Sequence, residues 1–194
     1  ADLSNEESTQ LNFQQEAVTQ NQAQVKSDDA TAMLQAMQRY RFTHENTLRV
    51  RRMLQDTQQQ ELPTTPITDK VSEGIAKKID EDTIVRAARR VLERYQNAYR
   101  QANTLTTDKQ LARQLGRTLA EAYTAGVKDE DCARIMTRLR TRTRTAEQQE
   151  GKELMTRTMA TVRVMARRGV SSTTISDVIE NGLQHDYQAR EMYS

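Results

Sequence analysis

Aromatic residues, cysteine, glycine and proline are all scarce in this chain of 194 residues. Only 4% of the residues are aromatic and none is tryptophan, so the core has to be built from Leu, Ile, Val, Met and Ala. Six glycines and two prolines are too few for the many tight turns of an all-β protein, and most of the β-branched residues are threonines. The composition therefore disfavours a sheet protein and favours helices.

Reactive residue types are equally scarce. Cys132, the single cysteine, has no partner for a disulfide or a metal pair, so we expect it to be a small buried residue inside a helix. The two histidines, His44 and His185, lack zinc-type spacing to another ligand, and the chain has no Gly-rich phosphate loop or nucleophile elbow. The sequence predicts no catalytic, cofactor or metal site and a protein that is not an enzyme. A site assembled from dispersed carboxylates is the alternative.

Long hydrophobic runs are also missing, and none approaches the roughly 18 residues that span a bilayer. Mean hydropathy is −0.87, but periodic apolar residues and a net charge of only +2 favour folded helices over disorder. We predict a polar arm or marginal helix over residues 1–28 and a single helical domain over 29–194. A start at Ala1 without a signal peptide fits a mature exported protein, a cytoplasmic one without its initiator Met, or a trimmed chain. We expect a periplasmic or secreted protein, with the cytoplasm as the alternative.

One turn pattern repeats along the chain. When the sequence is aligned on the aliphatic residues Leu62, Ile79, Val127 and Val170, the last three share apolar neighbours on both sides. The offsets place those neighbours on one helical face, which would meet the aliphatic residue in the turn, here called the plug. The shared neighbours are Val71, Ile75, Ile84 and Ala87 for the first of the three, Leu119, Tyr123, Cys132 and Ile135 for the second, and Val162, Ala166, Ile175 and Val178 for the third.

Turn-forming residues accompany the plugs. Gly126 and Gly169 each precede one, where a left-handed residue ends a helix, and an Asp or Ser able to cap a new helix follows. Lys78 takes the place of Gly before Ile79, so we expect that turn to close differently or to carry modest strain. Leu62 is a degenerate copy, since proline follows it. The pattern predicts helices near residues 29–43, 46–60, 65–78, 81–102, 108–125, 129–146, 150–168 and 172–189.

Short connections between these helices make sequential neighbours antiparallel. We therefore predict an all-α protein, either an antiparallel helical bundle or a short, irregular α-solenoid of helix-turn-helix units.

The stretch that runs from Lys70 through Glu73 and Gly74 to Lys77 has the pattern Lys-x-x-Glu-Gly-x-Ala-Lys. It resembles a segment of uncharacterised, often exported, all-α bacterial proteins, in which it precedes a hydrophobic plug and a capped helix. The later Ala-Gly-Val and Arg-Gly-Val turns are similar to that group's repeats, whereas Lys78 departs from the Gly usual there. The resemblance implies a helical fold, a bacterial source and export, and it supplies no activity.

Positive charge concentrates in the middle of the chain. Residues 84–170 contain 19 Lys and Arg against 9 Asp and Glu, whereas both ends are acidic. This region could bind nucleic acid or another acidic polymer, or it could be balanced internally by the acidic ends. Its densest run alternates every second residue, so a helix would divide the arginines between two sides, and no aromatic residue is interleaved for base stacking. The candidate polyanion contacts are Arg134, Arg138, Arg140, Arg142 and Arg144.

Tyr95 and Tyr99 lie four residues apart and share one helical face, where they either shape a groove or seal the edge of the core. Together these features favour a non-enzymatic helical binding or scaffold protein of the bacterial cell envelope, without a membrane span and with a protein as its partner. Polyanion binding through the Arg-rich middle is the alternative.

Overall fold

A computed structural model describes residues 29–184, and every regular element in that range is an α-helix. The predicted all-α class is therefore confirmed. None of these helices is long and apolar enough to cross a membrane. The predicted arm over residues 1–28, the predicted end of the last helix and His185 lie outside the described residues. The helices are α1 (29–39), α2 (His44–Gln59), α3 (Thr65–Ala76), α4 (Glu81–Leu105), α5 (Lys109–Thr124), α6 (Asp129–Thr143), α7 (Gln148–Arg167) and α8 (Ser172–Gln184).

Two compact units make up the chain, the first ending at Leu92 and the second beginning at Glu93. The division falls inside α4, which is one continuous helix. The single domain predicted for residues 29–194 stays a prediction.

The repeated turn is a recurrent way of ending a helix. In the turn at Val127, the preceding Gly126 has a φ of 106°. The Gly126 N–H donates to the Tyr123 carbonyl oxygen at 3.2 Å, and the Val127 N–H donates to the Ala122 carbonyl oxygen at 3.1 Å. These two bonds define the Schellman motif, which satisfies carbonyl groups left open at a helix end. The same pair of bonds, with a residue of positive φ before the plug, occurs at Phe42, Leu62, Ile79 and Val170.

The structure decides between the two outcomes expected at Lys78 and revises the expectations at Leu62, Phe42 and Ile79. Lys78 has a φ of 55°, and its turn closes with the same hydrogen bonds as the turns at Gly126 and Gly169. Lys78 is therefore a strained left-handed residue, and its turn does not close differently. Leu62 is a full copy, because Glu61 has a φ of 54° and the Leu62 N–H lies 2.9 Å from the Thr57 oxygen. Phe42 is a further copy that the sequence alignment missed. Ile79, however, remains 36% exposed and does not fill its turn as a plug.

In the unit that ends at Leu92, hydrogen bonds join the α1–α2 connection to the α3–α4 connection and the start of α4. The Tyr40 hydroxyl donates to the Ile79 carbonyl oxygen at 3.0 Å. The Thr43 N–H donates to the Glu81 carboxylate at 2.7 Å, next to the start of α2. The core of this unit is aliphatic and methionine-rich, and its fully buried residues include Met33, Met37, Val50, Met53, Val71 and Ala88.

In the unit that begins at Glu93, helices pack most closely on their second neighbours along the chain. α5 packs against α7 and α6 against α8, with smaller contacts of α7 with α6 and α8. These four helices therefore form a helical bundle in which α7 contacts each of the other three. Cys132 is 2% exposed within the shared core, which confirms the prediction of a small buried residue. Leu115, Leu119, Ile135, Met136, Leu139, Met159, Ile175 and Ile179 fill the same core.

Candidate functional site

An open groove of about 890 Å³ lies along the second half of α4 and the start of α6. Asn97 and Gln101 belong to its α4 side, Ala133 to its α6 side, and Tyr123 and Val127 come from the end of α5 and the turn that follows. We call this the α4–α6 groove. Every residue in its lining belongs to the unit that begins at Glu93.

Charges of both signs balance within the α4–α6 groove. The Asn97 amide donates to the Asp129 carboxylate at 2.7 Å, and the Arg94 guanidinium donates to the Thr124 hydroxyl at 3.2 Å, so two hydrogen bonds fix polar side chains between helices. A lining with equal numbers of cations and anions does not attract a polyanion by net charge. The cations are Arg94, Arg100 and Lys128, and the anions are Glu93, Asp129 and Glu130.

Tyr123 contributes a buried hydroxyl next to the groove. Its oxygen has no hydrogen-bond partner among residues 29–184. Burial raises the pKa of Tyr123, and the nearby Cys132 thiol and Asp129 carboxylate act in the same direction. Burial also raises the pKa of the Cys132 thiol to about 11. Both groups are therefore protonated at neutral pH, and neither is activated as a nucleophile or a base.

Tyr95 and Tyr99, the candidate groove residues, do not line the α4–α6 groove. Their rings lie 6.4 Å apart and pack, half-buried, against the core of this unit. A Cβ atom on Gly116 of α5 would lie 2.7 Å from the Tyr99 ring, so that ring rests directly on the α5 backbone. Their position matches the alternative interpretation, in which they seal the edge of the core.

Arg134 and Arg138 face α8, where carboxylates neutralise them. The Arg134 guanidinium lies 2.8 Å from Glu180 and 3.0 Å from Asp177, and that of Arg138 lies 3.8 Å from Glu180. Arg134 also lies 3.6 Å from Asp131, whose side chain is only 6% exposed. These carboxylates hold the pKa of Arg134 above its usual value. On this side of α6, carboxylates of the acidic C-terminal segment therefore balance the positive charges of the two arginines.

Arg140 and Arg144 lie on the other side of α6, as the helical spacing predicts. Both line a second cavity, of about 380 Å³, formed with the α4–α5 connection and the start of α7. Arg140 donates to the Thr104 hydroxyl at 2.8 Å. Arg142 is partly buried and does not belong to that lining. The five candidate arginines therefore form no single ridge.

Metal-ligating residues do not cluster in residues 29–184, where no group of three or more His, Cys, Asp or Glu side chains could hold a metal ion. His44 is exposed at the start of α2.

Sequence reasoning missed the residues that line the α4–α6 groove. Tyr123 was identified only as a helical-face residue of the repeat, and an Asp was expected to cap α6, whereas Lys128 occupies the cap position and Asp129 is the first residue of that helix. No sequence pattern indicated Asn97 as a candidate site residue.

Comparisons with protein-family models, with curated proteins and with solved structures find no match to this chain. The resemblance to exported helical bacterial proteins therefore stays a prediction.

Proposed function

We propose that this chain is a non-enzymatic helical binding protein that holds a polypeptide partner in the α4–α6 groove. The observation that carries the proposal is the mixed lining of the groove, in which balanced charges surround the apolar Val127 and Ala133. Protein interfaces combine apolar contacts with polar groups whose charges select the partner. A polypeptide is the class of molecule that offers apolar, acidic and basic side chains at short intervals.

Preorganisation of the groove supports this proposal. The hydrogen bonds of Asn97 with Asp129 and of Arg94 with Thr124 hold polar side chains in place before any partner arrives. The Lys128 N–H, at the cap position of α6, donates to the Ser172 hydroxyl at 2.8 Å, which ties the start of α6 to the start of α8. Fixing side chains in advance reduces the entropy that binding costs.

The bacterial cell envelope is the location we propose, with the chain periplasmic or secreted. The support is the resemblance of the stretch from Lys70 to Lys77 to a segment of exported proteins. Fractionation of source cells followed by immunodetection tests this, and recovery in the cytoplasmic fraction alone would contradict it.

A site-specific crosslinking experiment tests the binding function. Ala133 is exposed on α6 and lines the groove, whereas Ala32 is exposed on α1 and does not. A photo-reactive residue at position 133 is expected to capture a discrete protein from native cell extract, and the same residue at position 32 is not.

A charge reversal in the groove completes the test. Asp129→Arg removes an anion from the lining, and Asp69→Arg makes the same change on an exposed residue of α3 outside it. We expect the first variant, but not the second, to lose the captured protein. Equal capture by both, or reproducible hydrolase or transferase activity of the purified protein, would count against the proposal.

Polyanion binding through the Arg-rich middle is the alternative. The observation in its favour is that Arg140 and Arg144 are exposed, while the ion pairs of Arg134 and Arg138 oppose it because a nucleic acid would have to displace Asp177 or Glu180. Affinity for DNA, RNA and an acidic polysaccharide across a salt series measures this function. Absence of binding at low salt eliminates it.

A further inference from the structure

The cavity of about 380 Å³ beside the C-terminal end of α6 gathers cationic and hydroxyl groups from four parts of the chain. They come from the end of α4, the α4–α5 connection, the end of α6 and the start of α7. We propose that this cavity binds a small organic phosphate, with its phosphate group between Arg140 and Arg144. The proposal is independent of the α4–α6 groove, whose lining shares no residue with this cavity.

The two arginines differ in a way that suits anion binding. Arg140 is oriented by its hydrogen bond to the Thr104 hydroxyl, which leaves its remaining guanidinium N–H groups for another acceptor. The Arg144 guanidinium makes no hydrogen bond or ion pair with any residue among 29–184. One positioned and one unpaired guanidinium, four residues apart on a helix, can approach the same phosphate group.

Two carboxylates belong to the lining, those of Asp108 and Glu147. Asp108 accepts from the N–H groups of Gln110 and Leu111, both at 3.1 Å, and from the Lys152 ammonium at 2.7 Å. These bonds lower the pKa of Asp108 and compensate its charge. Glu147 is the remaining anion of the lining; it is exposed, and its side chain does not cap α7.

Backbone N–H groups add to the positive potential. Glu147 makes no side-chain bond to the start of α7, and the Gly151 N–H donates to the Glu147 carbonyl oxygen at 2.8 Å, so the N–H groups of residues 148–150 are the ones left open at this helix end. Gln148 and Gly151 of this turn lie in the lining, and Gly151 contributes no side chain there. A helix N-terminus favours anions, and here it supplements the two arginines.

The size and polarity of the cavity indicate the ligand class. Its volume is near the lower end of the range of about 300–1,000 Å³ for small-molecule sites. Most of the lining residues have polar side chains, with hydroxyls from Thr104, Thr106 and Thr143 and amides from Asn103 and Gln148, and Leu105 and Met155 add apolar surface. A phosphomonoester with a short polyhydroxyl chain matches this set of hydrogen-bonding groups.

Calorimetric titration with inorganic phosphate and with glycerol phosphate tests the proposal, with glycerol as the uncharged comparison. Saturable binding of both phosphates is expected, with glycerol phosphate the tighter, and no binding of glycerol. Arg140→Gln and Arg144→Gln are each expected to weaken binding roughly tenfold or more, the usual effect of losing a charged hydrogen bond. Glu147→Gln is expected to tighten it.

Arg138→Gln is the matched control. It removes the same charge from an exposed residue of α6 that lies outside the cavity, so the affinity for phosphate should stay nearly unchanged. Since the Arg144 side chain makes no hydrogen bond or ion pair with residues 29–184, its replacement is expected to leave the fold intact. Circular dichroism verifies this. The proposal is overturned if neither phosphate binds, or if Arg138→Gln weakens binding as much as Arg144→Gln. It also fails if a short oligonucleotide binds far more tightly and is equally sensitive to all three arginines.

Discussion

Replacing Lys78 with glycine is expected to make the protein more stable. Lys78 is exposed and has a φ of 55°, in the region where a side chain with a Cβ atom meets the following carbonyl oxygen. Gly126 and Gly169 occupy the equivalent position of the turns at Val127 and Val170, and a Cβ added to either would have no atom within 4 Å. Backbone conformation is therefore the main difference between Lys and Gly at this position.

The magnitude follows from two opposing contributions. A left-handed conformation costs a residue with a Cβ about 1–2 kcal/mol. Glycine loses more conformational entropy on folding than other residues, which offsets about 0.5–1 kcal/mol of that gain. Lys78→Gly is therefore expected to raise the free energy of unfolding by about 0.5–1 kcal/mol, or Tm by about 1–4 °C for a chain of this size. Gly169→Ala is expected to lower it by a similar amount.

Urea denaturation followed by circular dichroism measures both changes, with an unchanged m-value confirming that only stability differs. Lys78→Ala is the control, because it removes the Lys side chain and keeps the Cβ atom. We expect Lys78→Ala to lie within about 0.5 kcal/mol of the original protein, as for other surface substitutions. If Lys78→Gly proves no more stable than Lys78→Ala, the argument from left-handed strain is wrong.

Four further predictions concern other contacts. Gly116→Ala is expected to lower the free energy of unfolding by about 1–3 kcal/mol, because its Cβ would lie 2.7 Å from the Tyr99 ring. A Cβ atom on Gly151 would have its nearest neighbours at 3.8 Å, so Gly151→Ala is expected to raise the free energy of unfolding by about 0.5–1 kcal/mol. The same urea assay measures both variants. Equal losses of stability would contradict the packing argument. Two lysines lower the pKa of Glu73 from 4.5 to about 2, so its contribution to stability is present above pH 4.5 and is lost as the pH falls toward 2. Tm should therefore fall more steeply over that range than in Glu73→Gln, and parallel curves would refute the ion pairing. Cys132 is buried with a raised pKa, so a thiol reagent at neutral pH is expected to label it only after unfolding, and prompt labelling of the native protein would show that the site opens.

The helices could be predicted from the sequence because periodic apolar residues and turn residues agree with each other. The predicted range 129–146 corresponds to Asp129–Thr143, and 65–78 corresponds to Thr65–Ala76. The turn at Phe42 was missed because Arg41, with a φ of 62°, provides no glycine signal. In that turn the hydrogen bonds of the helix end, rather than the residue type, hold the left-handed conformation.

The candidate sites could not be predicted in the same way, because they depend on how separate helices pack. Asn97 and Asp129 are 32 residues apart, and their hydrogen bond exists only because α4 and α6 meet. Helical spacing did place Arg138 and Arg140 on different sides of α6. The position of Glu180 on α8 determines that Arg138, and not Arg140, forms an ion pair there. No local sequence pattern predicts that position.

In the unit that begins at Glu93, the small cavity lies beside the ends of α4 and α6. Neither of these two helix ends has the repeated turn. α4 ends at Leu105 without a residue of positive φ after it, and α6 ends before Arg144, whose φ is −65°. A Schellman turn brings an apolar residue back against its helix, whereas the connections after α4 and α6 place polar side chains such as Asp108 and Glu147 around an opening. The Lys128–Ser172 hydrogen bond joins the starts of α6 and α8, and the Lys152–Asp108 ion pair joins the starts of α7 and α5, so the turns at Val127 and Val170 lie at one end of this unit and the cavity at the other. The α4–α6 groove includes Val127, and it therefore lies toward the opposite end from the phosphate-binding cavity that we propose.

We accordingly expect Arg144→Gln to leave crosslinking from position 133 unchanged and Asp129→Arg to leave phosphate affinity unchanged. Loss of both activities in either variant would show that the two sites are not separate.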